Sequence, residues 1–237
     1  MDQIIKSRGI NWLYHFTKSS NLDGILRHGL LSRVELHKLK IPYECNDQSR
    51  WDNKLDRISC SVMWPNYKLL YKNRTNCNTD KYLIIKIRAD VLNKLDCVFT
   101  PENAAKKEYR NNFYELKGDK AFNSLFSDKV GNFCRTKKTR TYWPTDAQAE
   151  VLVATSIPLE YIDKIICKDD QTLKELKAKH PEHSDLFTVY QNYLFGNRPD
   201  WTEQNVTSTD NKYMFAVAGD IRFLSNADTP TQVQINN

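Results

Sequence analysis

The sequence predicts an α+β domain in which strands and helices do not alternate as regular βαβ units. Three observations carry that expectation. Several short runs alternate apolar and polar residues with period two. Other stretches space their apolar residues three and four apart. The chain has 237 residues, 40% of them hydrophobic, which is enough for one folded core.

Residues 10–17 (INWLYHFT) place Trp12, Tyr14 and Phe16 on one face and Leu13, His15 and Thr17 on the other, the pattern of a strand. A short helix is expected from Ser19 to Gly29. Ser and Asn suit its N-cap, Asp23 sits in the first turn, Leu22, Ile25 and Leu26 form an apolar face, and Gly29 ends it. Residues 35–57 read as polar and irregular. Alternation resumes at 58–64 and stops at Pro65. Further strands are expected at 82–87, 149–155, 161–167, 213–217 and 221–224. Helical spacing appears at about 102–110, 119–126, 170–179 and 185–195, where Leu186, Val189, Tyr190 and Tyr193 share a face. No repeat, linker or composition break interrupts the chain, so one domain over 1–225 with a polar tail at 226–237 is expected.

Thirty-five basic residues against 29 acidic ones leave a net charge of +6. The excess is concentrated in residues 129–140, where Lys129, Arg135, Lys137, Lys138 and Arg140 meet no acid. Such a run is either a field for polyanions or a solvated loop. The cysteines at 45, 60, 77, 97, 134 and 167 never approach CxxC spacing, so no metal site is expected. The start of the chain lacks the apolar core of a secretory signal, and no stretch approaches the roughly 20 apolar residues of a membrane helix. Reduced thiols, a cytoplasmic location and no membrane partner are the expectation. GxxxxGK[ST], GxGxxG, GxSxG and HExxH are all absent. His180 and His183 have HxxH spacing, but Pro181 between them breaks a helix, and a surface loop is expected there.

Ordered blocks then carry a resemblance. Tyr14-His15-Phe16-Thr17, Asn21-Leu22-Asp23-Gly24-Ile25-Leu26 and Gly29-Leu30-Leu31-Ser32-Arg33 come in quick succession. They are followed by residues 58–72 (ISCSVMWPNYKLLYK) and by Gln148-Ala149-Glu150-Val151-Leu152-Val153. Taken in order, these resemble the DarT family of DNA ADP-ribosyltransferase toxins over residues 10 to about 160, with weaker correspondence through Phe223. Pro65-Asn66-Tyr67-Lys68 departs from the proline-rich aromatic form of thymine-modifying members and is closer to the guanine-modifying branch. The resemblance implies an ADP-ribosyltransferase fold with a split mixed sheet and surrounding helices. It implies NAD as co-substrate, with its nicotinamide–ribose bond cleaved and ADP-ribose transferred to a base of DNA; exposure of that base to the anomeric carbon favours a single strand or a flipped nucleotide. It also implies a toxin paired with an antitoxin that removes the mark or binds the toxin, in a toxin–antitoxin or phage-defence system.

The residues offer matching chemistry. Cleaving the glycosidic bond gathers positive charge on the ribose, which a carboxylate stabilises. Glu150 interrupts an apolar run, sharing a face with Leu152 and Ala154, and the resemblance gives it the catalytic role; otherwise it is a solvated strand-edge glutamate. His15 and Thr17, about 7 Å apart on one strand face, suit the ribose and amide of NAD, or are structural. Asn21 either caps the following helix or, as the resemblance implies, turns its amide to the nicotinamide end. Without a glycine-rich loop the pyrophosphate must meet cations. Arg33, beside Leu31 in the GLLSR block, is one. The resemblance places a catalytic arginine in the segment of Arg50, the expected residue, with Arg57 as rival; otherwise either is a surface charge. Tyr67 and Tyr71 either stack a ring of NAD or pack as a helix face. Arg135, Lys137, Lys138 and Arg140, with Tyr142 and Trp143, suit phosphates and stacked bases of DNA, although Trp143 also suits a core. The alternatives are transfer to RNA or protein, or a noncatalytic nucleic-acid-binding module.

Overall fold

The computed structural model describes residues 1–45, 54–76, 82–111, 114–189 and 194–200. Arg50, Cys77, the strands expected at 213–217 and 221–224, and the polar tail lie outside the described residues.

Seven strands form one sheet: β1 (Trp12–Lys18), β2 (Arg57–Val62), β3 (Tyr82–Arg88), β4 (Cys97–Thr100), β5 (Glu150–Ala154), β6 (Ile162–Cys167) and β7 (Phe187–Val189), in the order β7-β6-β3-β1-β2-β5-β4. All pairings are antiparallel except β6 with β7. β3 reads as a continuous apolar run because both faces are covered. Leu83, Ile85 and Ile87 enter the main core, while Tyr82 and Ile84 enter a second cluster on the other side. The main core lies against the helix Leu22–His28 (α1), and the second under the helix Tyr67–Asn76 (α2), which drives Leu70 against Tyr14, Phe16 and Ile84.

The sheet is split at its middle. β1 pairs with β3 along its whole length, from Trp12 opposite Arg88 to Lys18 opposite Tyr82. To β2 it is joined only by Leu13 opposite Val62 and Tyr14 opposite Ser61. Beyond those pairs the strands part, and the opening becomes the cleft described below.

The expected strands at 10–17, 58–64, 82–87, 149–155 and 161–167 are present, with ends shifted by one or two residues. Of the helix expected at 185–195, Tyr190 and Tyr193 lie outside the described residues, and the described part is not helical. Its first part is a 3-10 turn, Pro181–Leu186, and Phe187–Val189 is the edge strand β7, parallel to β6. Phe, Thr and Val favour a pleated surface, and a free sheet edge next to them outweighed the helical spacing. The segment expected to be irregular opens with a helix, Arg33–Lys38, whose N-cap Ser32 accepts from the Glu35 amide at 3.3 Å. Ser-x-x-Glu is a capping signal that the reading from residue 35 passed over. The His180–His183 segment is also corrected: it is part of the 3-10 turn and its flank, and His180 is buried, with Nε2 3.2 Å from Asp23 Oδ1. Cys60, Cys97 and Cys167 are buried, Cys45 is half-buried and Cys134 is exposed, all as free thiols. Among the described residues no helix is long and apolar enough to cross a membrane, and no cluster of three metal-ligating side chains occurs.

Candidate active site

The parting of β1 from β2 opens a cavity of about 600 Å³. His15, Thr17, Asn21, Leu31 and Arg33 line it from one direction, Glu150 and Ser59 from another. A ladder continued past Tyr14 would close this space with backbone hydrogen bonds. Instead His15 Nδ1 meets the Ser59 carbonyl oxygen at 2.8 Å, so the imidazole bridges the seam where the ladder stops.

Glu150 begins β5, opposite Thr100 of the edge strand β4. Val151 and Val153 point into the main core, so Glu150 and Leu152 face the other way. Both carboxylate oxygens are held. The Ser59 hydroxyl donates to Oε2, and the Ala104 amide donates to Oε1 at 3.0 Å. A carboxylate anchored at both oxygens keeps one orientation towards the cavity. His15, Ser59 and Glu150 thus form a connected series across the seam. Ser59 escaped the sequence reading, although alternation placed two hydroxyls, Ser59 and Ser61, on one face of an otherwise Ile, Cys, Val strand. Ala104 contributes only its backbone, for which a sequence offers no signal.

Asn21 does not cap α1 with its side chain. Its Nδ2 donates to Thr17 Oγ1 at 2.9 Å and to the Glu44 carbonyl at 2.8 Å, and its Oδ1 accepts from the Glu44 amide at 2.8 Å. Lys18 Nζ adds an ion pair to Glu44 Oε2 at 2.9 Å. Together these clamp the segment containing Ile41, Pro42, Tyr43 and Glu44 along the cavity rim. Thr17 is buried beneath the clamp.

Arg33 lines the cavity with Leu31 and Ser32. Arg57 borders it too, but its guanidinium is turned into the fold. Nη2 pairs with Asp96 Oδ2 at 2.7 Å, and Nη1 donates to the carbonyls of Leu152 and Asp96 at 3.2 and 3.3 Å. Arg57 therefore fastens β2 to its neighbours. Tyr67 lies outside the cavity, buried against Trp64 and Ala147, and the phenol is pushed up by that burial. Tyr71, one turn on, is not in the cavity wall either. α2 instead turns Leu69, Lys72 and Asn73 to the cavity, below Asn66. Of the two readings of Tyr67 and Tyr71, the helical phase favours packing over stacking: positions three and four apart from 69 face the cavity, and 67 faces the core.

The basic loop divides in the same way. Lys137, Lys138 and Arg140 are exposed. Arg135 is an internal staple: Nη1 donates to the Trp143 carbonyl at 2.8 Å and to Thr145 Oγ1 at 3.2 Å, and Nη2 to the Arg140 carbonyl at 2.7 Å. Trp143 is buried, its ring edge-on to Trp64 with centroids 5.8 Å apart, so the core reading of Trp143 holds and a base cannot stack there. Tyr142 is half-buried against the main core. The far side of the loop is fixed by a buried ion pair. Arg198 Nε meets Asp200 Oδ1 at 2.6 Å, and Arg198 Nη1 donates to the Pro144 carbonyl at 2.8 Å. Nearby, burial pushes the Asp146 carboxyl up, opposed by the charge of Lys68, whose ammonium burial in turn pushes down.

Comparison with known proteins fits this geometry. No curated protein matches the chain. Among solved structures, "Thermosipho africanus DarTG in complex with ADP-ribose" is 20% identical with a TM-score of 0.52, over 79% of this chain and 52% of that one. This chain therefore spans about half the length of that protein. "Thermus sp. 2.9 DarT in complex with ADP-ribosylated ssDNA" is 18% identical with a TM-score of 0.51, over 76% of this chain and 94% of that one. At these identities the likeness is one of fold. The family described as "ssDNA thymidine ADP-ribosyltransferase, DarT" matches residues 14–195, from the strand of His15 past that of Glu150. The chain belongs to the DarT family.

Proposed function

We propose that this chain is an NAD-dependent transferase that places ADP-ribose on a base of single-stranded DNA. The observation that carries the reading is Glu150, held at both oxygens by Ser59 and Ala104 on the wall of a cavity that His15 enters from across the seam. Family membership and the Thermus relative solved with ADP-ribosylated ssDNA support it. In this reading NAD lies along the cavity as substrate. Arg33 meets its pyrophosphate, with Arg50 as a second cation, and His15 and Thr17 hold the nicotinamide ribose and amide. Glu150 stabilises the charge that gathers on the ribose as the bond to nicotinamide breaks. A nitrogen of the base then bonds to the anomeric carbon, nicotinamide departs with the electron pair, and Glu150 takes the proton from the base. Lys137, Lys138, Arg140 and Tyr142 receive the strand.

The acceptor base is thymine or guanine. The family description names thymidine, and the Pro65-Asn66-Tyr67-Lys68 block favours guanine. The wider setting we propose is a cytoplasmic, one-domain toxin of a toxin–antitoxin or phage-defence system, countered by an ADP-ribose-removing partner. Mass analysis of single-stranded DNA, RNA and protein acceptors after incubation with NAD tests the reading. DNA alone should gain one ADP-ribose, and Glu150→Ala should abolish the gain while the protein stays folded. Label on protein alone, or normal modification by Glu150→Ala, refutes it.

A further inference from the structure

The strand register divides the cavity wall into two chemically different sides. Leu13 and Val62 pair and pack with Leu22 and Ile25 of α1, whereas Tyr14, opposite Ser61, packs with Leu70 of α2. By alternation His15 and Thr17 lie on the α1 side of the cavity they line. Ser61, Ser59 opposite Leu152, and Glu150 lie on the α2 side. In the transfer proposed above, on which this inference rests, the base attacks from the side opposite departing nicotinamide and gives its proton to Glu150. The base must therefore touch Glu150, and so stands between that carboxylate and α2.

Three asparagines stand in the wall of that chamber. Asn66, Lys72 and Asn73 border it from the helix side, and Asn103 and Ala105 from the loop beside Glu150. Asn66 Oδ1 is occupied by the Leu69 amide at 3.2 Å, and Asn103 Oδ1 by the Ala105 amide at 2.8 Å. Asn73 differs. Its Nδ2 is buried and has no hydrogen-bond partner among the described residues. A buried donor left unmet is costly, and a ligand carbonyl recovers that cost.

We infer that Asn73 selects the acceptor base, donating from Nδ2 to an exocyclic carbonyl oxygen. Thymine offers O4 and guanine O6, while adenine presents an amino group at the corresponding place and leaves the donor unmet. Asn73 is a specificity residue on the acceptor side, distinct from the residues that hold NAD.

The test uses the full chain with single-stranded oligonucleotides. Asn73→Asp keeps the shape and replaces the donor with an oxygen. Its kcat/KM for DNA should fall about 10- to 100-fold, the discrimination of one well-placed base contact, with the dissociation constant for NAD unchanged. A second measurement compares acceptors on the same protein, so a general loss of folded enzyme cancels: a 4-thiothymine or 6-thioguanine acceptor, whose sulfur accepts weakly, should slow the wild-type chain but add no further loss in Asn73→Ala. Undiminished transfer by both variants, an equal loss of NAD affinity, or a thio effect that persists in Asn73→Ala overturns the assignment. If the wild-type chain modifies no DNA base, the transferase reading itself fails.

Discussion

Replacing Ser59 by Ala removes one oxygen atom and tests whether the held carboxylate is the working group. The variant keeps the Ser59 backbone, so the His15 contact at 2.8 Å survives, and Glu150 keeps the Ala104 amide at 3.0 Å. Only the hydroxyl bond to Oε2 is lost. A hydrogen bond to a charged group contributes about 1.5–3 kcal/mol. At about 1.4 kcal/mol per tenfold, kcat should drop about 10- to 100-fold if the whole of that bond orients Glu150 for reaction. Initial rates of oligonucleotide modification at saturating NAD and DNA would measure it. KM for NAD should barely move, because cofactor contacts are intact, and Ser59→Thr should recover part of the rate by restoring a hydroxyl. Combined with Glu150→Gln, the two losses should fall well short of additivity, as expected of groups acting as a unit. A full rate in Ser59→Ala, or strictly additive losses in the double variant, would refute the idea that Ser59 works through Glu150.

Two further outcomes follow from the electrostatics. Asp146 is raised above the ordinary carboxylate value by burial, so the folded state binds its proton more tightly than the unfolded chain. Its contribution to stability therefore declines as pH rises from the ordinary value, about 3.9, through the raised folded value, and is flat above it. Asp146→Asn should remove that slope, so denaturant unfolding of the two proteins should differ in pH dependence only within this acid interval. Joint replacement of the exposed Lys137, Lys138 and Arg140 by Ala should lower the log–log salt dependence of single-stranded DNA binding by about 2, at about 0.7 per phosphate contact, without changing NAD affinity. Fluorescence titrations across a salt series would show it, and an unaltered slope would place the DNA elsewhere.

Much of this was legible because it rests on period. Alternation at 10–17 and 58–64 located the strands that carry His15 and Ser59, since a half-buried strand must alternate whatever surrounds it, and the apolar β-favouring run at 149–155 located that of Glu150. What the period does not encode is which neighbour a strand meets. The same alternation that placed His15 could not reveal that its β1 leaves β2 after two residue pairs, and that parting makes the cleft. Helical phase was the second gap. Tyr67 and Tyr71 attracted attention for their rings, but α2 is oriented by Leu70 seeking the apolar cluster, and this turned the plainer Lys72 and Asn73 to the cavity. Charge was the third. Arg135 and Arg57 are indistinguishable by residue type from ligand-binding arginines, yet nearby carbonyls and Asp96 had already claimed both guanidinium groups. Backbone donors such as the Ala104 amide leave no trace in composition at all.

The Arg198–Asp200 pair moors a late segment to the loop that runs into β5. Trp64 adds a second tether, its indole nitrogen donating to the Gly196 carbonyl at 3.3 Å. Residues more than fifty positions downstream thus act as a buckle on the stretch between the exposed cations and Glu150. Proteolysis ahead of residue 198 would strand the Pro144 carbonyl and expose the Trp143 ring, loosening in one event both the surface offered to a nucleic-acid strand and the approach to the reacting carboxylate.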